Sequence, residues 1–250
     1  MKIVAIIPAR YASTRLPGKP LAQILDKPMI EWVYRSVRKS RLVERVIVAT
    51  DDQRVFDAVK AFGGEVVMTP EDIQTGSDRI AYVGNQLPGA EIIVNVQGDE
   101  PFISGSIIDD AVMPLIVDSK LQVSTLVKKI SSEADLNNPS VVKVVFDKFS
   151  NAIYFSRSPI PYLRDAGDLG KELVNGLFYK HIGLYVYRKD FLLYYTKLPQ
   201  SVLENAEKLE QLRILENGYD IRVVETETES IAVDTQDDLY RARTYALSFS

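Results

Sequence analysis

The chain contains no cysteine and only one histidine, His181. Without thiols there are no disulfides, no zinc ribbons, no iron–sulfur clusters and no thiolate nucleophile. A single imidazole cannot build a multi-histidine metal centre. Charge is scarce in the net sense: 30 basic against 34 acidic residues leave −4, so no broad basic field recruits nucleic acid. No apolar run approaches the ~20 residues that a membrane-spanning helix needs. Before Pro8 stand only five apolar residues, too few for the core of a signal peptide. A soluble, cytoplasmic protein is the expectation. At 250 residues and 46% hydrophobic composition it can bury a large core without covalent staples.

What is present is alternation. Ile3 to Ile7 is a continuous apolar run, as in a strand buried on both faces. Residues 28–40 then carry Ile30, Val33, Tyr34 and Val37 on one helical stripe. Val46–Ala49 is a second buried strand, and Asp51 or Asp52 can cap the helix that ends at Gly63-Gly64. Strands at 66–68 and 92–96 and near 122–129 alternate with helices at 78–87 and 106–118. Repeated β–α–β order predicts a doubly wound α/β fold around a mostly parallel sheet. After about residue 140 the pattern changes to strands at 141–146, 152–155 and 183–187 without long helices between them. Pro159–Gly176 is rich in loop residues, the kind of insertion that is usually functional or an interface arm. Helices at 188–197 and 203–217, strands at 221–225 and 231–233, and a helix from Thr235 complete one domain, residues 1–250, with an arm at about 155–187.

In such sheets ligands bind beyond the carboxyl ends of the strands. The first strand runs into Pro8–Pro20, where Arg10, Arg15 and Lys19 fall within ten residues on a loop held by three prolines and bent at Gly18. Arginine forks and a lysine point charge suit a triphosphate, although a solvated basic loop has the same composition. It is not a Walker loop, since proline follows Lys19, and no G-x-G-x-x-G occurs in the chain. The fourth strand ends in Asn95-Val96-Gln97-Gly98-Asp99-Glu100-Pro101. Adjacent acids there could hold a hard cation such as magnesium, or simply form a turn.

Pro8-Ala9-Arg10-Tyr11-Ala12-Ser13-Thr14-Arg15-Leu16-Pro17-Gly18-Lys19-Pro20-Leu21 closely resembles the signature of the 3-deoxy-manno-octulosonate cytidylyltransferases, or CMP-Kdo synthetases. Further blocks follow in family order: Thr75–Arg79, Val96–Pro101, Val142–Val145, Tyr154–Arg157, His181–Tyr185, Leu209–Arg213 and Val233–Thr235. Together they span residues 3 to about 243. The chain departs from the family at Thr75, Ser77, Ala232 and Gln236, all outside the charged groups. The resemblance implies the nucleotide-diphospho-sugar transferase fold and activation of Kdo by CTP for lipopolysaccharide synthesis. It assigns Arg10, Arg15, Lys19, Arg79 and Gln97 to CTP. To the acidic sugar it assigns Arg157, His181, Tyr185, Glu210 and Gln211, with Arg157 suited to a carboxylate. It makes Lys19, Asp99 and Asp234 catalytic, with the two aspartates as ligands of Mg2+, each expected at a strand end. It further implies a homodimer joined through the arm. Another acidic sugar, such as an 8-amino-Kdo or a sialic acid, is the competing substrate, and a nucleotide-binding regulator the competing role. The run Tyr185, Tyr187, Phe191, Tyr194 and Tyr195 reads as core or interface.

Overall fold

The computed structural model describes residues 1–250 except 14, 74, 165–172, 174, 175, 229, 230 and 250. Its main sheet follows the order β11-β7-β10-β6-β1-β4-β5, where β1 is Lys2–Pro8, β4 Arg45–Thr50, β5 Glu65–Met68, β6 Ala90–Asn95, β7 Val123–Lys129, β10 Tyr179–Arg188 and β11 Arg222–Glu225. Six of these seven strands run the same way, and β10 alone is antiparallel to both of its neighbours. β8 (Lys143–Phe146) adds to the start of β10, and β9 (Ala152–Ser156) pairs with β8. Two-residue strands β2 (Gln23–Ile24) and β3 (Lys27–Pro28) form a separate ribbon.

The apolar run of β1 is buried on both faces because alternate residues enter different cores. Ile3, Ala5 and Ile7 pack with Val33 and Val37 of α1 (Met29–Val37), Val55 and Val59 of α2 (Gln53–Ala61), and Ile108 and Val112 of α4 (Gly105–Val117). Val4 and Ile6 pack on the opposite face with Ile80 and Val83 of α3 (Gly76–Asn85). Leu192 and Tyr195 of α6 (Lys189–Tyr195) join that face. A period of two in one strand thus supplies both layers of a doubly wound fold. The tyrosine-rich run belongs to the second core: Tyr187 stacks between Tyr185 and Tyr195, and Phe191 stacks on Tyr195, while Tyr194 is half exposed.

Several expectations are revised. The helix expected over 203–217 is two helices, α7 (Val202–Glu207) and α8 (Gln211–Glu216), broken where Lys208 adopts a left-handed φ of 53°. Residues 231–233 form no strand; the amide of Val233 instead donates to the Asp99 carbonyl at 2.9 Å. A short α5 (Glu133–Asn137) was not anticipated. Of the arm, residues 165–172, 174 and 175 lie outside the described residues, while Leu173 and Phe178 pack on Ile130 and Leu136. Among the described residues no helix is long and apolar enough to cross a membrane.

α4 docks on the turn after α1 through two residues one helical turn apart. A Cβ at Gly105 would lie 2.4 Å from the Lys39 carbonyl carbon, so no side chain fits. Asp109 accepts from the Ser40 hydroxyl at 2.5 Å and from the Arg41 and Leu42 amides at 3.1 and 3.2 Å. Burial opposes its ionisation, yet these donors outweigh burial and hold the carboxyl below its ordinary range. Two consequences can be measured by urea denaturation. Gly105→Ala should destabilise by about 1–3 kcal/mol through overpacking. Asp109→Ala should cost about 1–3 kcal/mol by orphaning buried donors. Because the folded pKa is depressed, the Asp109 contribution is present above about pH 4 and is lost as pH falls through the folded value. Unchanged denaturation midpoints would refute this docking.

Candidate active site

The loop after β1 is pinned from both ends. Ala9 donates to the Ala49 carbonyl at 2.9 Å, continuing the sheet, and Leu16 is buried with Ile24, Met29, Val233 and Leu239. Between these anchors Gly18 takes a left-handed φ of 67°, where an added Cβ would also press on the Tyr11 hydroxyl at 3.1 Å. A short 3₁₀ turn over Lys19–Leu21 follows and directs Lys19 inward.

Lys19 Nζ lies 2.5 Å from Asp99 Oδ2 and 2.7 Å from Asp234 Oδ1. Burial works against the ammonium, but the two carboxylates outweigh it and raise its pKa, so Lys19 is fully charged. Arg15 reaches the other oxygen of Asp234 at 3.2 Å. Asp99 follows β6 as expected. Asp234 does not end a strand; it sits before α9 (Gln236–Ala246), brought there by Val233 in the Leu16 cluster. Thr235, not Asp234, caps α9: its hydroxyl accepts from Asp238 N at 3.2 Å, and the Asp238 carboxylate accepts from Thr235 N at 2.9 Å. The cap is therefore filled without the carboxylate of Asp234. Next to the pair, burial and then the charge of Asp99 push Glu100 up to about 8, which keeps further negative charge off the cluster at neutral pH.

A cavity of about 440 Å³ spreads from Lys19 along Arg10, Arg15, Gln97 and Arg79. Arg79 has no exposed surface; it binds Asp51 at 2.6 Å and also the Thr69 hydroxyl. Asp52 caps α2 through Arg54 N at 2.9 Å, leaving Asp51 for Arg79 and, at 3.8 Å, Arg10. Arg10 also donates to the Ile73 carbonyl. All five residues assigned to the nucleotide line this one cavity, together with Asp99 and Asp234.

A second cavity of about 240 Å³ adjoins it, with Gly76 and Gln97 lining both. Tyr185, Glu210 and Gln211 line this second space. Glu210 is the residue before α8, two positions after the left-handed Lys208, so the break in the helix is what sets Glu210 and Gln211 at the cavity. Burial raises the Glu210 pKa. His181 lines a neighbouring recess with Glu100, Lys128 and Lys180, its ring 5.1 Å from that of Tyr185. Arg157 lines neither cavity. It donates to the carbonyls of Glu207 at 2.7 Å and Pro139 at 3.0 Å, tying β9 to the end of α7. Asn95, Gly76 and Ser77, which no sequence motif assigned, also line the second cavity.

The state of His181 follows from its partner. The Thr125 hydroxyl donates to the Leu184 carbonyl at 2.7 Å, so at His181 Nε2, 2.8 Å away, it accepts. Nε2 therefore carries the proton and Nδ1 is the acceptor. Burial pushes the imidazole down to about 3. A ring neutral in the folded state and basic when unfolded stabilises the fold above about pH 6.5 and loses that contribution as pH falls toward the folded value. Being the only histidine, it is read without ambiguity by NMR: its ring shifts should stay constant from pH 8 to 5. A midpoint near 6.5 would contradict the assignment.

Comparison with known proteins places the chain in a family. A family model described as cytidylyltransferase matches residues 4–225. The 3-deoxy-manno-octulosonate cytidylyltransferase of Geobacter metallireducens is 57% identical over 243 residues, covering 96% of this chain and 95% of its own. That of Geobacter sulfurreducens is 56% identical, with 96% and 97% covered. A solved structure of CMP:2-keto-3-deoxy-manno-octonic acid synthetase complexed with CTP superposes with a TM-score of 0.93 at 43% identity, covering 100% of both chains. With sequence and fold in agreement over its length, the chain belongs to the cytidylyltransferase family, among the 3-deoxy-manno-octulosonate cytidylyltransferases.

Proposed function

We propose that the chain transfers CMP from CTP to 3-deoxy-D-manno-octulosonate, giving CMP-Kdo and diphosphate, the activation step for lipopolysaccharide synthesis. One observation carries the reading: a cation-lined cavity and a smaller polar cavity meet at Gly76 and Gln97, with Lys19 held at the cationic end. The first has the size of an ordinary small-molecule pocket, ~300–1,000 Å³, and the second is smaller, fitting a monosaccharide better than a second nucleotide.

In the reaction the anomeric hydroxyl oxygen forms a bond to the α-phosphorus as the bond to the β-phosphate breaks, and diphosphate leaves with the electron pair. Such transfers depend on positioning and charge neutralisation more than on covalent help. Arg10, Arg15 and Lys19 face the developing negative charge on the leaving group. Gln97 offers a donor and an acceptor to the base. Glu210 and Gln211 hold sugar hydroxyls, with Tyr185 beside them. His181, neutral, contributes an acceptor rather than a charge. Arg157 donates to the Glu207 carbonyl, next to Lys208 of the cavity wall, and binding the sugar carboxylate would require it to exchange a backbone carbonyl.

Asp99 and Asp234 suit Mg2+. Their oxygens already converge on one cation, and magnesium commonly takes one or two carboxylates while phosphate and water complete its shell. Among the described residues no cluster of three or more acidic or histidine ligands competes for that role. Bound there, the metal supplies Lewis-acid activation of the hydroxyl and the α-phosphate. Lys19 neutralises the same pair when it is ion-paired, and its release would free both carboxylates to hold the metal and the ammonium to meet the triphosphate.

The reading includes a homodimer, for which the exposed Phe149 and Ile153 and the 88%-exposed Tyr162 offer apolar surface. Use of CTP fits a cytoplasmic setting.

Diphosphate release should require both CTP and Kdo. CTP should be preferred over UTP and ATP, because a base pocket with matched polar partners rejects a mismatch that leaves them unpaired. Equal turnover of the three nucleotides, or faster turnover of an 8-amino-Kdo or a sialic acid than of Kdo, would reassign the substrate. Asp99→Asn and Asp234→Asn should each lower kcat on the order of 10²-fold or more while the fold survives. Calorimetric titration of Mg2+ into the protein with a non-hydrolysable CTP analogue should lose its heat in the same variants. Near-normal kcat in both variants, or full activity in excess EDTA, would remove the metal from the mechanism.

A further inference from the structure

Among the described residues, the buried side-chain polar atoms with no hydrogen-bond partner are Arg79 Nε, Asn95 Oδ1, the Tyr185 hydroxyl and Glu210 Oε2. Arg79 lines the nucleotide cavity, and the other three residues all line the second one. Orphaned buried polar groups are few in folded proteins, and several converging on one cavity mark a place where an occupant supplies the missing bonds. Tyr185 and Glu210 are already assigned to the sugar. Asn95 is not.

Its position makes a purely structural role hard to sustain. Asn95 is the last residue of β6 and pairs directly with Tyr185 across the antiparallel β6–β10 ladder, so the two side chains leave the sheet side by side on the same face. The preceding residues Ile92, Ile93 and Val94 have no exposed surface, and Asn95 is itself only 3% exposed. A branched apolar residue would suit the strand and the core better than an amide whose oxygen is unmatched.

We propose that Asn95 is a specificity-determining residue for the acidic sugar. Resting on the proposed function, this means that its amide pairs with a sugar hydroxyl alongside Tyr185 and Glu210. An amide presents an acceptor as placed, and a donor after a half-turn, and a hydroxyl can answer either. The three orphaned atoms then become satisfied together when the sugar enters. A sugar lacking the matching hydroxyl leaves Asn95 buried and unpaired, which is how a polar site rejects a near-isostere.

The test compares Asn95→Leu, nearly the same size but without polar atoms, with Asn95→Thr, which suits a strand and keeps one hydroxyl. Diphosphate release gives KM for each substrate. A fluorescence melt without ligands reports the fold. Calorimetry with Kdo in the presence of a non-hydrolysable CTP analogue reports sugar binding directly. For Asn95→Leu the sugar KM should rise at least about tenfold, as expected when a polar partner is removed. The CTP KM should stay within about twofold and the melting temperature should not fall, because an orphaned buried atom has been removed. Asn95→Thr should lie between Asn95→Leu and the wild type, and it decides alone if Asn95→Leu does not fold. A sugar KM that does not move, or sugar and CTP KM rising together with a lower melting temperature, would overturn the proposal. If wild type is active and the variants bind Kdo as it does, only the role of Asn95 falls. If wild type neither binds nor turns over Kdo, the proposed function falls with it.

Discussion

The ammonium of Lys19 holds the site together. It takes one carboxylate from the turn after β6 and one from the segment before α9, and it does so from a loop that begins at β1. Three stretches of chain separated by 80 and 215 residues meet on one nitrogen. An exposed ion pair would contribute little, but this ammonium is largely enclosed and is charged because both partners are present. The contact also has an apolar foundation. Leu16 on the cationic loop and Val233 beside Asp234 share one small core with Leu239 and Ala242, so burial delivers the charges to each other.

Neighbouring residues divide the work on both sides of the nucleotide cavity. Asp52 caps α2 while Asp51 holds Arg79; Thr235 caps α9 while Asp234 faces Lys19. In each case local backbone demands are met by one residue, so the adjacent carboxylate remains available to a cation. The two cavities differ in kind. The cavity proposed for the nucleotide is built from ion pairs formed in advance, and the one proposed for the sugar from polar groups whose bonds are incomplete. Charge dominates where phosphates are expected, and hydrogen-bond matching where hydroxyls are.

Much of this was legible from residue order. The runs 3–7, 46–49 and 92–96 read as doubly buried strands because they are, and the cationic loop lies where a parallel sheet puts ligands. Ordered family blocks then named the site residues, which hydrophobic periodicity could not. The misses have physical reasons. Leucine and isoleucine recur from Leu203 to Ile214 and the first stop signal is Gly218, so nothing in the composition announces a left-handed residue at Lys208. The reversed direction of β10 is a long-range property of its pairing with β6 and β7. Ile231–Val233 is apolar enough for a strand, but its Val233 amide bonds to Asp99 in place of a sheet neighbour. Asn95 stands in the Asn95–Pro101 run without a sign of its own, because an orphaned oxygen is visible only once its surroundings are.

The shared core of Leu16 and Val233 also sets an order of events during synthesis. A chain lengthens from its N-terminal side during synthesis, so the residues of β1 emerge long before those around Asp234. By the time β10 has left the ribosome, β1, β4, β5, β6 and β7 can all pair, and both faces of the sheet have helices to cover them. Asp99 and Lys19 are present at that stage, but the second carboxylate and the apolar wedge that delivers it are still unmade. A chain that has emerged only this far therefore holds one of the two carboxylates that meet Lys19, and the other arrives with the segment before α9.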